Sequence, residues 1–393
     1  MIIAKMYLDN VYAFKDFDIS FVYPKKLVNA PLDGEYLQDY PNFRYKKLNI
    51  IIGSNATGKT SLGRTILHMC LFLKTKESKP LFDLVCDKTK QSRIVFDYVL
   101  KTDDYYLNRA DVIIDKVEEK EEQKILMRFY STKLQKNDSY ETAAARFDND
   151  VQYKDYLECL TDVEFGSYNF SFPLTEENYD YIHCQFEKED QEEFRQVLLP
   201  VLSTLDPSIK DVIVSSEVDD TYIIVPENGE KFYVSNNAKI SSIERLSSGT
   251  KYGFNIAATL FAMKKHLNGF YYIDEQFSYT NSEIEIAILN LMVSYLGDGE
   301  QLFFTSHNVE LLSLNYPNHT FTFLKKVAVN NKNIIEEVNA ASLEKRNNVN
   351  IKNLYDNDFF GVHPNLEKIY ELGENWLWPN CFNIMSKVNV KEN

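Results

Sequence analysis

Residues Leu48–Thr60 read LNIIIGSNATGKT, and this stretch decides the fold. LNIII is a short continuous apolar run, as a strand buried on both faces requires. Gly53–Thr60, GSNATGKT, matches GxxxxGK[ST] in full. Gly53 and Gly58 allow the backbone to wrap, so that N–H groups across Ser54, Asn55, Ala56 and Thr57 turn toward an anion. The following TSLGRTILHMCLFL is patterned as a helix, and its N-terminus, through Ser61, adds the positive end of a dipole. Lys59 can neutralise β- and γ-phosphates, and the Thr60 hydroxyl can ligate Mg²⁺. A plain strand–helix turn would leave Lys59 without a reason. The pattern therefore implies a nucleotide site, with ATP and Mg²⁺ as its contents.

Three further stretches belong with it. Gly269–Glu275 read GFYYIDE, an apolar strand that delivers two carboxylates at its C-terminal edge. Asp274 suits a metal held through water, and Glu275 suits orientation and deprotonation of an attacking water. Gln301–Asn308 read QLFFTSHN, a third apolar strand ending in a polar turn, where His307 can reach a γ-phosphate. Leu246–Thr250 read LSSGT ahead of a helical run, so Ser247, Ser248 and Gly249 form a second anion-binding helix start. Taken singly, the first is a strand entering an acidic turn, the second a structural histidine and the third a good N-cap.

Their order carries more than any one of them. P-loop, LSSGT, an Asp-Glu strand about 25 residues on and a His strand about 30 beyond that form one constellation. With these motifs the chain resembles the ABC-type ATPase superfamily, in its SMC/RecF-like branch, over about residues 1–97 and 206–324. The resemblance implies an α/β nucleotide-binding head: a mixed sheet with a P-loop core, an antiparallel β lobe and an inserted, mainly helical lobe. It also implies a head-to-tail homodimer or higher even oligomer, each ATP lying between one P-loop and the opposite Ser247–Gly249. Glu275 and His307 then stand as catalytic residues, and Thr60, Asp274 and, in the Q-loop place, Gln91 as metal ligands. The sequence departs from the family at Ser248 and Thr250, where LSGGQ is commoner, and in QFSYTN (Gln276–Asn281), which lacks the usual D-loop Asp or His.

Composition agrees with a folded protein. Of 393 residues, 44% are hydrophobic and 14% aromatic, which opposes disorder. No run approaches the ~20 apolar residues of a membrane span, and the N-terminal stretch has charges among its apolar positions, unlike a secretory signal. Five scattered cysteines without a CxxC pair argue against a disulfide framework or zinc site, consistent with a cytoplasmic setting. A net charge of −15 repels nucleic acid at long range, leaving nucleic acid open as a partner but unsupported.

The expected organisation is a first part of the head at 1–130, an inserted lobe at 131–192, a second part at 193–340 and a C-terminal extension at 341–393. Residues 24–44 read as a loop. A transporter subunit would have its P-loop and signature closer than the about 190 residues seen here. An SMC protein would need long heptad arms, which Pro173, Pro200 and Pro207 interrupt. The reading preferred over these is a regulatory ATPase resembling the ATPase halves of antiphage systems such as Septu and PARIS. Such an ATPase controls a separately encoded nuclease or toxin, and no nuclease motif is legible on this chain. A RecF-like repair ATPase and a non-hydrolysing scaffold are the alternatives.

Overall fold

The structure is a computed structural model that describes residues 1–23, 32–116, 124–148, 150–161, 165–173, 188–218, 221–235, 248–278, 280–329, 332–344, 346, 349–364 and 366–375. Two six-stranded sheets dominate it. The central sheet runs Tyr168–Ser171, Phe270–Asp274, Gln301–Ser306, Leu48–Ile52, Phe321–Val329 and Lys332–Asn339. Its first five strands are parallel, and the Lys332–Asn339 strand is antiparallel to its neighbour.

The parallel strands are buried on both faces because their side chains alternate between two cores. Tyr271, Ile273, Phe304 and Ile50 face one core, which they share with helices Gln191–Leu205, Ser248–Lys264 and Ser282–Tyr295. Phe270, Tyr272, Phe303 and Ile51 face the other, which is filled by helix Lys59–Thr75 through Leu62, Ile66, Met69 and Phe72. That helix is roofed by the second sheet, an antiparallel array ordered Phe17–Ser20, Ile2–Asp9, Ser92–Lys101, Tyr105–Ile114, Ile125–Lys133 and Lys154–Asp155. The fold is thus the expected mixed α/β head with a P-loop core and an antiparallel β lobe.

The stretch 131–192 is shared between the sheets and short helices. Strand Ile125–Lys133 crosses its start, the short helices Tyr140–Ala144 and Tyr156–Cys159 lie within it, and Tyr168–Ser171 forms the edge of the central sheet. Within 24–44, read as loop, Tyr36–Leu37 and Tyr40–Arg44 pair as a small hairpin. Its turn places Asp39 at φ +68°, a conformation Asp tolerates better than most residues, so a loop composition hides a strand pair. The acidic 117–123 and Trp376 and Trp378 lie outside the described residues. No helix among the described residues is long and apolar enough to cross a membrane.

Candidate active site

Parallel register brings the motifs together. Asp274 pairs with Thr305, and Ser306 pairs with Ile52, so three neighbouring strands end side by side where an open α/β sheet collects its ligand groups. The P-loop leaves the first of these strands, Glu275 the second and His307 the third. Gly58 sits at φ +98° at the helix N-cap, and Ala56 at +61°, so the turn uses left-handed backbone twice. Glu275 is itself at φ +47°, a strained conformation for a glutamate and one that often marks functional sites.

Lys59 is nearly buried, and its ammonium donates to the Gly53 and Ser54 carbonyls at 2.6 and 3.1 Å. It also lies 3.2 Å from Glu275 Oε1. His307 Nε2 is 2.9 Å from the same oxygen, and its Nδ1 faces the Gly53 carbonyl at 3.0 Å. Glu275, Lys59 and His307 therefore form one connected group over the P-loop. Burial lowers the Lys59 pKa, with Glu275 opposing. Burial also works to raise Glu275, but the His307 hydrogen bond and the Lys59 charge outweigh it, leaving this carboxyl below its usual range.

Asp274 is fully buried and accepts from Thr60 Oγ1 at 2.7 Å and from Thr305 Oγ1 at 2.6 Å. Burial pushes its carboxyl above the usual range despite these two donors. A hydroxyl against a buried carboxylate is an oxygen donor set that fits Mg²⁺, which keeps several waters and takes few protein ligands. No group of three or more His, Cys, Asp or Glu residues suited to a metal occurs among the described residues.

The pocket itself is small, about 90 Å³, lined by Ala56, Thr57, Gly58, Lys59, Thr60, Ser61 and Glu275. A larger concavity of about 290 Å³ lies on the antiparallel sheet. There Arg93 and Arg128 share Asp111, and Arg109 pairs with Asp97, so each arginine already has a carboxylate partner.

The remaining expected residues fare differently. Gln91 is exposed, its amide donates to Asp115, and it does not line the phosphate pocket. Leu246 and Ser247 lie outside the described residues, while Ser248 and Gly249 open the helix Ser248–Lys264. Thr250 is buried and donates to Asp206 at 3.2 Å, tying this helix start to the end of helix Gln191–Leu205. Sequence reading passed over Thr305, although it stands within QLFFTSHN. It also passed over Tyr272, whose hydroxyl donates to the Lys59 carbonyl at 2.8 Å. An aromatic inside a buried strand gives no hint of a polar errand.

Comparison with known proteins finds one family model, described as "AAA domain, putative AbiEii toxin, Type IV TA system", which matches residues 48–313. No curated protein matches. Among solved structures, the chain is similar to an SMC head bound to the C-winged helix domain of ScpA, at 12% identity and a TM-score of 0.47, covering 88% of this chain and 100% of that one. It is similar also to the SMC head domain from Thermotoga maritima (13% identity, TM-score 0.40, 86% and 99% covered). A third is the recombination mediator protein RecF-ATPrS in the RecFOR pathway (12%, TM-score 0.40, 86% and 98%). The matched family segment holds the P-loop, the Asp274–Glu275 strand end and the His307 turn, and the chain belongs to this family of AAA-domain ATPases.

Proposed function

We propose that the chain hydrolyses ATP at a site completed by a second copy of itself, and that this cycle controls a separate effector protein. The observation that carries the reading is the convergence of Lys59, Glu275 and His307 on the P-loop, with Thr60 on Asp274 beside them. ATP is the substrate, its β- and γ-phosphates taken by the backbone of Gly53–Ser61 and by Lys59. Thr60 and Asp274 would hold Mg²⁺, which supplies charge neutralisation on the phosphate oxygens. Glu275 orients the attacking water and accepts its proton, and His307 donates to the γ-phosphate side of the site. A triphosphate in the cradle competes for the Lys59 ammonium now shared by Glu275 and two carbonyls.

The dimer has support from size. A pocket of about 90 Å³ covers phosphates but not a nucleoside, which ordinarily needs a few hundred Å³. None of its lining residues comes from the Ser248–Gly249 helix start, which would instead meet a neighbour's nucleotide. Closure on ATP and reopening on hydrolysis give a two-state device that a partner can sense. A place in a toxin-type system fits the family's description as a putative AbiEii toxin of a Type IV TA system.

The test is steady-state turnover together with oligomeric state. Lys59→Ala loses ATP binding, whereas Glu275→Gln binds ATP, turns over about 10²- to 10³-fold more slowly and accumulates as a dimer. Wild-type turnover by Glu275→Gln would remove Glu275 as the base. For the effector, affinity capture from the native host with and without ATP decides. A nuclease or toxin-like protein recovered only in one nucleotide state supports control. Recovery of the chain alone, with DNA-stimulated turnover, points instead to recombination or repair.

A further inference from the structure

Helix Ser282–Tyr295 presents Ile288, Leu289 and Met292 to the core, and one turn earlier on the same buried face it presents a carboxylate, Glu285. At 4% exposure this group would be costly to bury unless both oxygens were satisfied. Both are. Ser306 Oγ donates to Oε1 at 2.6 Å, and Asn308 Nδ2 donates to Oε2 at 2.8 Å. The two donors are the immediate neighbours of His307, one on each side. The turn is closed further by Asn308 N donating to Ser306 Oγ at 2.9 Å, and by Asn308 Oδ1 accepting from Glu310 N at 3.0 Å.

We propose that Glu285 is a positioning residue for hydrolysis: its carboxylate grips the 306–308 turn from both sides and so sets where His307 meets Glu275 and the P-loop. A leucine at this place would satisfy the core equally well, but it would leave the Ser306 hydroxyl and the Asn308 amide without their shared acceptor. Hydrogen bonds to a charged acceptor are the stronger kind and fix geometry as well as energy. Positioning matters here because His307 reaches Glu275 Oε1 at 2.9 Å and the Gly53 carbonyl at 3.0 Å, and a small displacement breaks both. Glu285 also sits on the helix that immediately follows the segment 276–281. A shift of that helix would reach the turn around His307 through this side chain.

The proposal rests on the reading of His307 and Glu275 given above, and the test separates the two. The full-length protein is compared as wild type, Glu285→Gln, His307→Ala and the double variant, with turnover, KM and affinity for a fluorescent ATP analogue measured for each. Glu285→Gln is expected to bind the analogue as wild type does and to lose about tenfold in kcat with KM unchanged, the usual effect of removing an outer-shell partner. The double variant is expected to be no slower than His307→Ala alone, because Glu285 acts through His307. Wild-type kcat for Glu285→Gln alongside a slow His307→Ala overturns the positioning role and leaves the His307 reading standing. Losses that multiply in the double variant overturn it as well. A His307→Ala protein with wild-type turnover removes the His307 reading and the proposal with it. Should Glu285→Gln fail to fold, Ser306→Ala removes one donor from the turn and is read by the same criteria.

Discussion

Thr60 and Asp274, 214 positions apart in the chain, meet in a hydrogen bond of 2.7 Å. The meeting is a product of strand order. The strand that ends at Ile52 and the strand that ends at Asp274 flank the one that ends at Ser306, all three parallel and in register. Helix Lys59–Thr75 then begins over their C-terminal ends, with Thr60 in its first turn. Under the proposed function this hydroxyl would hold Mg²⁺, and its loss should show in the dependence on Mg²⁺. Thr60→Ala is expected to lower turnover about 10- to 100-fold at limiting Mg²⁺, with part of the loss recovered at high Mg²⁺. Titrating turnover against Mg²⁺ checks this, and an unchanged curve would count against Thr60 as a ligand.

Helix Lys59–Thr75 packs against the central sheet at one very close point. A Cβ added to Gly63 would collide with the Tyr272 ring, which is fully buried. Gly63→Ala gains about 1 kcal/mol of helix propensity and incurs about 1–3 kcal/mol of overpacking, so modest destabilisation is expected. Because the Tyr272 hydroxyl donates to the Lys59 carbonyl, displacement of the ring also disturbs the P-loop. Urea denaturation and ATP affinity should therefore fall together. A variant destabilised with intact ATP affinity would show the ring yielding without moving the loop.

Burial raises the Glu285 carboxyl above its ordinary value, against the pull of Ser306, Asn308 and His307. Only between the ordinary value of 4.5 and the raised folded value does the folded state hold a proton that the unfolded state has released. Above that range Glu285 is the carboxylate that grips the turn. Stability from this group is present below 4.5. It is lost as pH rises through the folded value. Glu285→Gln has no such titration. Its stability relative to wild type is expected to rise as pH climbs from about 4.5 toward neutrality. Urea unfolding of both proteins across that range tests the sign, and a difference independent of pH would contradict it.

Much of this architecture is legible in the sequence, for identifiable reasons. The strands Leu48–Ile52, Phe270–Asp274 and Gln301–Ser306 are continuous apolar runs, and each ends in residues whose chemistry is hard to explain otherwise. Lys59, Glu275 and His307 were therefore recognisable before their contact was known. Thr305 and Glu285 were not. A threonine in a strand and a glutamate in a helix are ordinary, and only three-dimensional register reveals that one holds Asp274 and the other holds the turn around His307. The strand Tyr168–Ser171 was obscured in another way, since it is only four residues long within a polar, tyrosine-rich stretch. Gln91 stands among the ligands only through the Q-loop place that the resemblance implies, and place alone cannot tell a ligand from a residue bonded to Asp115.

The central claim, a nucleotide site shared between two copies, is tested most directly by mixing two variants that are each defective in a different half. Lys59→Ala removes the P-loop half, and Ser248→Arg blocks the facing helix start. Each alone is expected to be inactive. Mixed in equal amounts, they should recover up to about a quarter of wild-type turnover, because half the dimers pair unlike chains and each of those holds one intact site. Recovery on mixing is the result this account predicts. Full activity of Ser248→Arg alone, or no recovery from a mixture shown to form dimers, would contradict it.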